Sequence, residues 1–248
     1  MGEVADMFNI TDLHNHSLCG LDDGAASYEE MCKMIDISYS SGVRTICFTP
    51  HYFNSGRYDC TPEQISNAFE LAKAYCRQYM PDMQLYKGSE MTYHFDCVDS
   101  LAEKKLLTIA DSRYVLTDFL ETPDARSIIM GLERLFNCGY IPVIAHVERY
   151  HCLYGKIESI RRMSEMGAII QMNSSSLFKG LMSKRKRQSI KLLSEGLVDI
   201  IASDAHDSEM RTPELRCAAD FVEAKFGYEY AELLFDKNPQ KIISNKRF

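Results

Sequence analysis

Residues 11–24 read TDLHNHSLCGLDDG, and the fold turns on how this stretch is understood. A short extended run ends at His14 and His16, and a loop carrying Asp22, Asp23 and Gly24 follows. Side chains on an extended segment alternate with a period of two, so both imidazoles leave on one side. Taken singly, each residue has an ordinary explanation. A histidine after a strand is usually a hydrogen-bonded loop residue, an aspartate there usually caps a helix, and Asp-Asp-Gly makes a good turn. The pattern gains meaning when it recurs along the chain.

It recurs six times. Further apolar, β-branched runs cover about 43–49, 84–90, 113–119, 141–146, 168–173 and 198–203, after a first run at 9–14. Amphipathic stretches with helix start and stop signals lie between them. Ser27-Tyr28-Glu29-Glu30 predicts a capping box, with Gly42 ending that helix. Thr61-Pro62-Glu63-Gln64 predicts a second cap, with proline at the first helical position. Strands alternating with helices imply parallel pairing through right-handed crossovers. Seven such units without a doubly wound break predict an α/β fold closed as a barrel. A doubly wound sheet stays the alternative, because periodicity does not decide closure. No repeat or composition break divides residues 1–248, so one domain is expected.

The polar residues at the ends of these runs are His14 and His16, His51, Glu90, Asp118, His146, Asn173, and Asp204 with His206, while Asp22 and Asp23 lie in the first loop. In a parallel barrel they share the C-terminal rim, where active sites form. So many carboxylates and imidazoles on one rim would be costly unless cations held them. Histidine and carboxylate without thiolate suit Mn, Fe or Zn, and a set this large implies two or three ions with a bridging carboxylate. Adjacent divalent ions hold a shared water as hydroxide and neutralise phosphoryl charge, so hydrolysis of a phosphate ester is the natural reaction. Arginines would grip the remaining oxygens: Arg149, three residues past His146; Arg211, five past His206; and Arg57, six past His51. Asn173 to Ser176 cross the rim and are candidates for substrate contact or a plain turn. Lys184-Arg185-Lys186-Arg187 reads as a solvated helix face, with docking of an acidic partner segment as the alternative.

The ordered set His14-x-His16, Asp22-Asp23-Gly24, Thr49-Pro50-His51, Gly88-x-Glu90, Ala145-His146-x-Glu148-Arg149-Tyr150 and Ser203-Asp204-x-His206 resembles the metal motifs of the polymerase and histidinol phosphatase (PHP) family. The AHVERY and NSS stretches are most similar to its branch of bacterial manganese-dependent protein-tyrosine phosphatases from capsular and exopolysaccharide operons. The similarity spans residues 10–245. It implies a distorted seven-stranded (β/α) barrel with Mn2+ in up to three sites. Carried over motif by motif, His14, His16, Glu90 and Asp204 would hold one ion. Glu90 would bridge to a second, held also by Asp118 and His146. Asp23, His51 and His206 would hold the third, and Arg149 and Arg211 would bind phosphate. The branch usually has glutamate where this chain has Asp118, one methylene shorter. The implied substrate is phosphotyrosine on protein, the tail of a polysaccharide-biosynthesis tyrosine kinase.

Other classes are disfavoured. None of the nine cysteines has an arginine six positions on, so the C-x5-R mechanism is excluded, and there is no phosphate-binding glycine loop of the G-x-x-x-x-G-K-[ST] type. The scattered cysteines and the absence of a signal-like start or long apolar run predict a cytoplasmic protein without membrane insertion. A net charge of -7 argues against nucleic acid as partner. A small-molecule phosphatase such as histidinol phosphatase, or a binding module with a structural cluster, remain as alternatives, and the oligomeric state is left open.

Overall fold

A computed structural model describes residues 8–53, 58–119, 124–180 and 183–248. Nine strands appear among them: β1 (Ile10–Asn15), β2 (Val43–Phe48), β3 (His51–Tyr52), β4 (Gln84–Lys87), β5 (Glu90–Thr92), β6 (Tyr114–Asp118), β7 (Ile141–Ile144), β8 (Ile169–Asn173) and β9 (Ile200–Ala202). They form two parallel sheets, ordered β1-β2-β4 and β3-β5-β6-β7-β8-β9, so the chain is an α/β fold built on curled parallel sheet. The alternation read in the sequence accounts for this pairing, since each helix returns the chain to the start of the next strand.

Two of the seven expected runs are divided. The run at 43–49 stops at Phe48 and resumes as β3 after Pro50, which has no N–H to give to a ladder. The run at 84–90 breaks at Gly88-Ser89, where Ser89 N turns away to Leu107 O (3.1 Å). Gly88 N still donates to Phe48 O (2.8 Å) and Glu90 N to Pro50 O (3.0 Å), so the backbones stay side by side across both breaks. Each break ends one strand segment just before a residue of interest, His51 or Glu90.

Helices α1 (Tyr28–Ser40) and α2 (Pro62–Tyr79) begin where the sequence predicts. Thr61 and Gln64 exchange both capping-box bonds. Ser27 Oγ accepts from Glu30 N, but Glu30 reaches Ser208 N rather than completing its box. Helices α3 (Cys97–Ala102), α4 (Ala125–Asn137), α5 (Ile157–Glu165), α6 (Lys184–Ser194), α7 (Arg216–Phe226), α8 (Tyr228–Glu232) and α9 (Asn238–Ile243) complete the set among the described residues.

Strand side chains sort into three apolar clusters, the smallest holding Tyr52, Met91 and Val115. Ile144, Ile170 and Ile201 join the large core with the helices, while Val143, Ile169 and Ile200 join a second cluster with Leu13, Cys47 and Leu116. Neighbouring residues fall into different clusters because a strand sends them to opposite faces. Both faces are thus buried, which explains runs that are nearly continuously apolar.

The first and last strands meet. Asn15 bridges Ala205, His16 N donates to Ala205 O (3.0 Å), and Asp204 N donates to His14 O (2.8 Å). The fully buried Asp12 fastens this seam by accepting from Ser203 N (3.0 Å), Ser203 Oγ (2.6 Å) and Asn15 Nδ2 (3.0 Å). A buried carboxylate is tolerated here because its oxygens are hydrogen-bonded. The seam brings the His14-Asn15-His16 segment beside Asp204-Ala205-His206.

Candidate metal centre

Glu90 lies at the centre of the rim. Its carboxylate is buried and meets four imidazoles: His146 Nε2 at 2.9 Å, His51 Nδ1 at 2.9 Å, His14 Nε2 at 3.3 Å and His16 Nε2 at 3.4 Å. Asp204 Oδ1 faces His14 Nε2 at 3.4 Å and His16 Nε2 at 3.6 Å. The two Nε2 atoms are 3.1 Å apart, as the same-side placement of His-x-His predicts. Toward solvent, Asp23 Oδ1 meets His51 Nε2 at 3.2 Å and His206 Nε2 at 3.5 Å. Donor atoms within 4.8 Å of one another come from His14, Glu90 and His146; from His14, His16 and Asp204; from His16, His51 and His206; and from Asp22, Asp23 and His51.

Asp118 stands at the edge of this cluster. Its Oδ2 is 3.9 Å from His146 Nε2, while Oδ1 accepts from the Tyr150 hydroxyl at 2.9 Å. Arg57 lies outside the described residues. His151 is exposed, and neither it nor His94 belongs to these donor groups.

The backbone is bent to make the site. His146 (φ +35°) and Asp204 (φ +52°) are left-handed without being glycine, a conformation that costs on the order of 1–3 kcal/mol and collects at functional sites. Gly24 answers to a close approach: a Cβ there would sit 2.0 Å from His16 O. The Asp-Asp-Gly loop therefore folds directly over His16, and Asp22 Oδ2 reaches its Nδ1 at 2.8 Å.

The charges do not balance by themselves. Burial opposes protonation of His14, yet Glu90 and Asp204 outweigh it and lift its pKa to about 9. Burial likewise opposes charge on His51, but Glu90 and Asp23 push it to about 11. Burial works against the Glu90 carboxylate, and His14 and His51 nevertheless hold it well below its usual range. Asp23 is lowered by hydrogen bonds from His206 and His51. His146 Nδ1 is buried without a hydrogen-bond partner, and Glu90 Oε2, although 2.9 Å from His51 Nδ1, has no partner in hydrogen-bond geometry. The carboxylates thus draw protons onto imidazoles, and facing Nε2 atoms cannot all be satisfied by those protons. Divalent cations would supply the charge and use the orphaned oxygen, so the donor set fits metal.

Sequence reasoning missed several supporting residues. Gln171 Oε1 accepts from His146 N (2.6 Å) and lies 3.2 Å from His14 Nδ1. Tyr150 joins Asp118 to Phe119 N. Asp22 was read as a rim acid, and its contact orients His16. A signal existed for Gln171: it is the polar residue inside an apolar run, two before Asn173 and hence on the same face.

Two of the three predicted arginines, Arg149 and Arg211, converge on Asp204. Its Oδ2 accepts from Arg149 Nη1 (3.1 Å) and Asn173 Nδ2 (2.6 Å) and pairs with Arg211 Nη2 at 3.0 Å, which donates to the Asp204 backbone carbonyl (3.3 Å). The guanidinium side chains stay 37% and 43% exposed, so each keeps donors free for a ligand. They line a cleft of about 500 Å3 with Asn173, Ser174, Ser175, Ser176, Phe178 and Met210. Buried Glu148 fixes one wall by accepting from Ser176 Oγ (2.6 Å) and Asn173 N (3.3 Å).

The sequence profile described as "Capsular polysaccharide synthesis, CpsB/CapC" matches residues 10–244. The chain belongs to that family. Among CpsB/CapC relatives, it is 34% identical over 245 residues to the tyrosine-protein phosphatase CpsB of Streptococcus pneumoniae, covering 96% of this chain and 99% of that one. It is 31% identical over 239 residues to the tyrosine-protein phosphatase YwqE of Bacillus subtilis, covering 96% and 92%. A crystal structure from work on YwqE and CpsB, described as unique metal-dependent tyrosine phosphatases, superposes with a TM-score of 0.86 at 29% identity and 96% coverage of both chains. The Escherichia coli phosphotriesterase homology protein shares the fold alone, with a TM-score of 0.59 at 13% identity and coverage of 96% and 99%.

Proposed function

We propose that this CpsB/CapC member is a metal-dependent phosphatase that hydrolyses phosphotyrosine on protein, with a polysaccharide-biosynthesis tyrosine kinase as its cytoplasmic substrate. The observation that carries the reading is a cluster of carboxylates and imidazoles opening beside an arginine-lined cleft. No helix among the described residues is long and apolar enough to cross a membrane. We read residues 1–248 as one catalytic domain and the two sheets as one distorted seven-stranded ring. Continuity of β2 with β3 and of β4 with β5, and the Asn15–Ala205 bridge, support that reading.

In this assignment His14, His16, Glu90 and Asp204 hold one ion, Glu90, Asp118 and His146 a second, and Asp23, His51 and His206 a third. Manganese is the cation assigned, since imidazole-rich sets suit it better than Mg. When bound, the ions supply Lewis acidity and an activated water. The chain's own residues do the rest. Arg149 and Arg211 donate to phosphoryl oxygens, and Asn173 holds Asp204 in place. Phe178 and Met210, 52% and 87% exposed at the cleft, offer apolar surface to an aromatic ring. A phenol leaves with a pKa near 10, so its departure needs little help from a general acid. The test is kcat/KM of the Mn-loaded chain on a phosphotyrosine peptide against histidinol phosphate. The peptide is expected to win by at least about tenfold, the scale of a single lost site contact; preference for histidinol phosphate would overturn the assignment.

Asp118 is the weakest member of the set, because one oxygen is committed to Tyr150. Asp118→Ala is expected to remove about one metal per chain at moderate Mn and to cost roughly 10–100-fold in turnover. Elemental analysis across a Mn series checks this, and full occupancy at every concentration would leave Asp118 as a support for Tyr150 only.

A further inference from the structure

The basic run that opens α6 was expected to face solvent, yet Arg185 lines the same cleft as Arg149 and Arg211. Lys179 lines it too, from the end of the 3-10 turn Ser174–Phe178. Helix α6 packs against that turn and against the turn Val147–Arg149, which brings the start of the helix to the cleft. Cations at a helix start oppose its dipole, and the first turn of α6 holds no acidic residue to offset them. Local helix physics therefore gives no reason for the run, and such a conflict points to function.

The charge count in the cleft leads the same way. Two carboxylates line it: Asp204, whose Oδ2 is taken by Arg149, Arg211 and Asn173, and Glu214, which accepts from Cys217 N. Among the described residues no carboxylate pairs with Lys179 or Arg185. Four cationic side chains thus share one concavity on a chain of net charge -7. Arg149 and Arg211 suffice to hold one phosphoryl group; Lys179 and Arg185 are surplus to that task.

We infer that Lys179 and Arg185 form a second anion subsite that takes an acidic side chain close to the phosphotyrosine, so that the cleft selects anionic phosphopeptides. The inference rests on the phosphotyrosine reading above. Successive residues of an extended peptide advance about 3.3 Å, so a near neighbour of the phosphotyrosine stays within the same cleft. The anion is a carboxylate or a second phosphotyrosine, both of which a guanidinium can bind in a forked geometry.

The test compares kcat/KM of the Mn-loaded full chain on four substrates: p-nitrophenyl phosphate, and phosphotyrosine peptides flanked by Asn/Gln, by Asp/Glu, or by a second phosphotyrosine. The wild type is expected to prefer an anionic over the neutral peptide by about tenfold at low salt, the scale of two part-exposed ion pairs. The preference should shrink as ionic strength rises. Lys179→Gln/Arg185→Gln should erase it while leaving p-nitrophenyl phosphate and the neutral peptide unchanged. The peptide preferred by the wild type identifies the anion as carboxylate or phosphate. A double variant that keeps the preference, or that slows all four substrates equally, overturns the inference. A wild type active on every peptide without regard to charge overturns this inference alone. One that turns over p-nitrophenyl phosphate but no phosphotyrosine peptide overturns the underlying reading as well.

Discussion

Glu90→Gln is expected to lower kcat by on the order of 10³-fold or more and to strip the chain of bound manganese. Metal ions supply several kcal/mol of transition-state stabilisation, and each 1.36 kcal/mol is a factor of ten. Glu90 meets four imidazoles within 3.4 Å, more than any other carboxylate in the cluster, and it is the group through which two of the proposed ions would be joined. Glutamine matches its shape, but half of its head group is an NH2 that offers no lone pair to a cation. The change also removes the charge that draws protons or metal onto His14 and His51. A readout independent of turnover is available. Added Mn2+ should raise the melting temperature of the wild type, because a ligand that binds only the native state stabilises it by mass action. The gain should be much smaller for the variant. Without metal the variant is expected to be less stable than the wild type, because removing one partner of a buried ion pair leaves His14 and His51 without the carboxylate that offsets their charge. Retained turnover with full metal content would sink the central role given to Glu90.

Arg149→Ala should reduce kcat/KM by on the order of 10²–10³-fold while leaving the metal content intact. Arg149 donates to Asp204 Oδ2, so losing it could in principle loosen a metal ligand. Arg211 and Asn173 hold the same oxygen at 3.0 and 2.6 Å, and Oδ1 still faces His14 and His16. Asp204 should therefore stay in place, and the loss should fall on the phosphoryl group. Arg149→Lys should recover only part of the activity, because an ammonium is a point charge without the guanidinium fork. Unchanged kinetics in Arg149→Ala would show the arginine to be an ordinary surface partner of Asp204. A parallel loss of manganese would show that its role is to brace the cluster.

Much of the site was legible because its chemistry is written in residue types at strand ends. His14, His16, His51, Glu90, His146, Asp204 and His206 each follow an apolar run, and parallel strands must bring their ends to one side. The alternation of strands with capped helices likewise announced an α/β fold. The period of two correctly put both imidazoles of His14-x-His16 on one side. These are local properties: side-chain direction, capping, turn chemistry and the cost of crowding like groups.

What the tertiary structure alone decided lies between residues far apart in the chain. The Asp12–Ser203 bond that fastens the first strand to the last spans 191 positions, and no periodicity encodes such a partner. The breaks at Pro50 and Gly88-Ser89 follow from how two strands and the 107–109 segment pack, which divides runs that look continuous in sequence. Tyr150 claims one oxygen of Asp118, and Gln171 supports both His14 and His146, because packing put them within reach. Arg185 shows the difference most clearly. A run of four basic residues at a helix start reads as solvated, since sequence carries the helix's own preferences but not its neighbours. Only the docking of α6 beside the metal rim turns one of those four side chains into the cleft. Local physics determined which residues could bind metal and phosphate; long-range packing decided which of them meet.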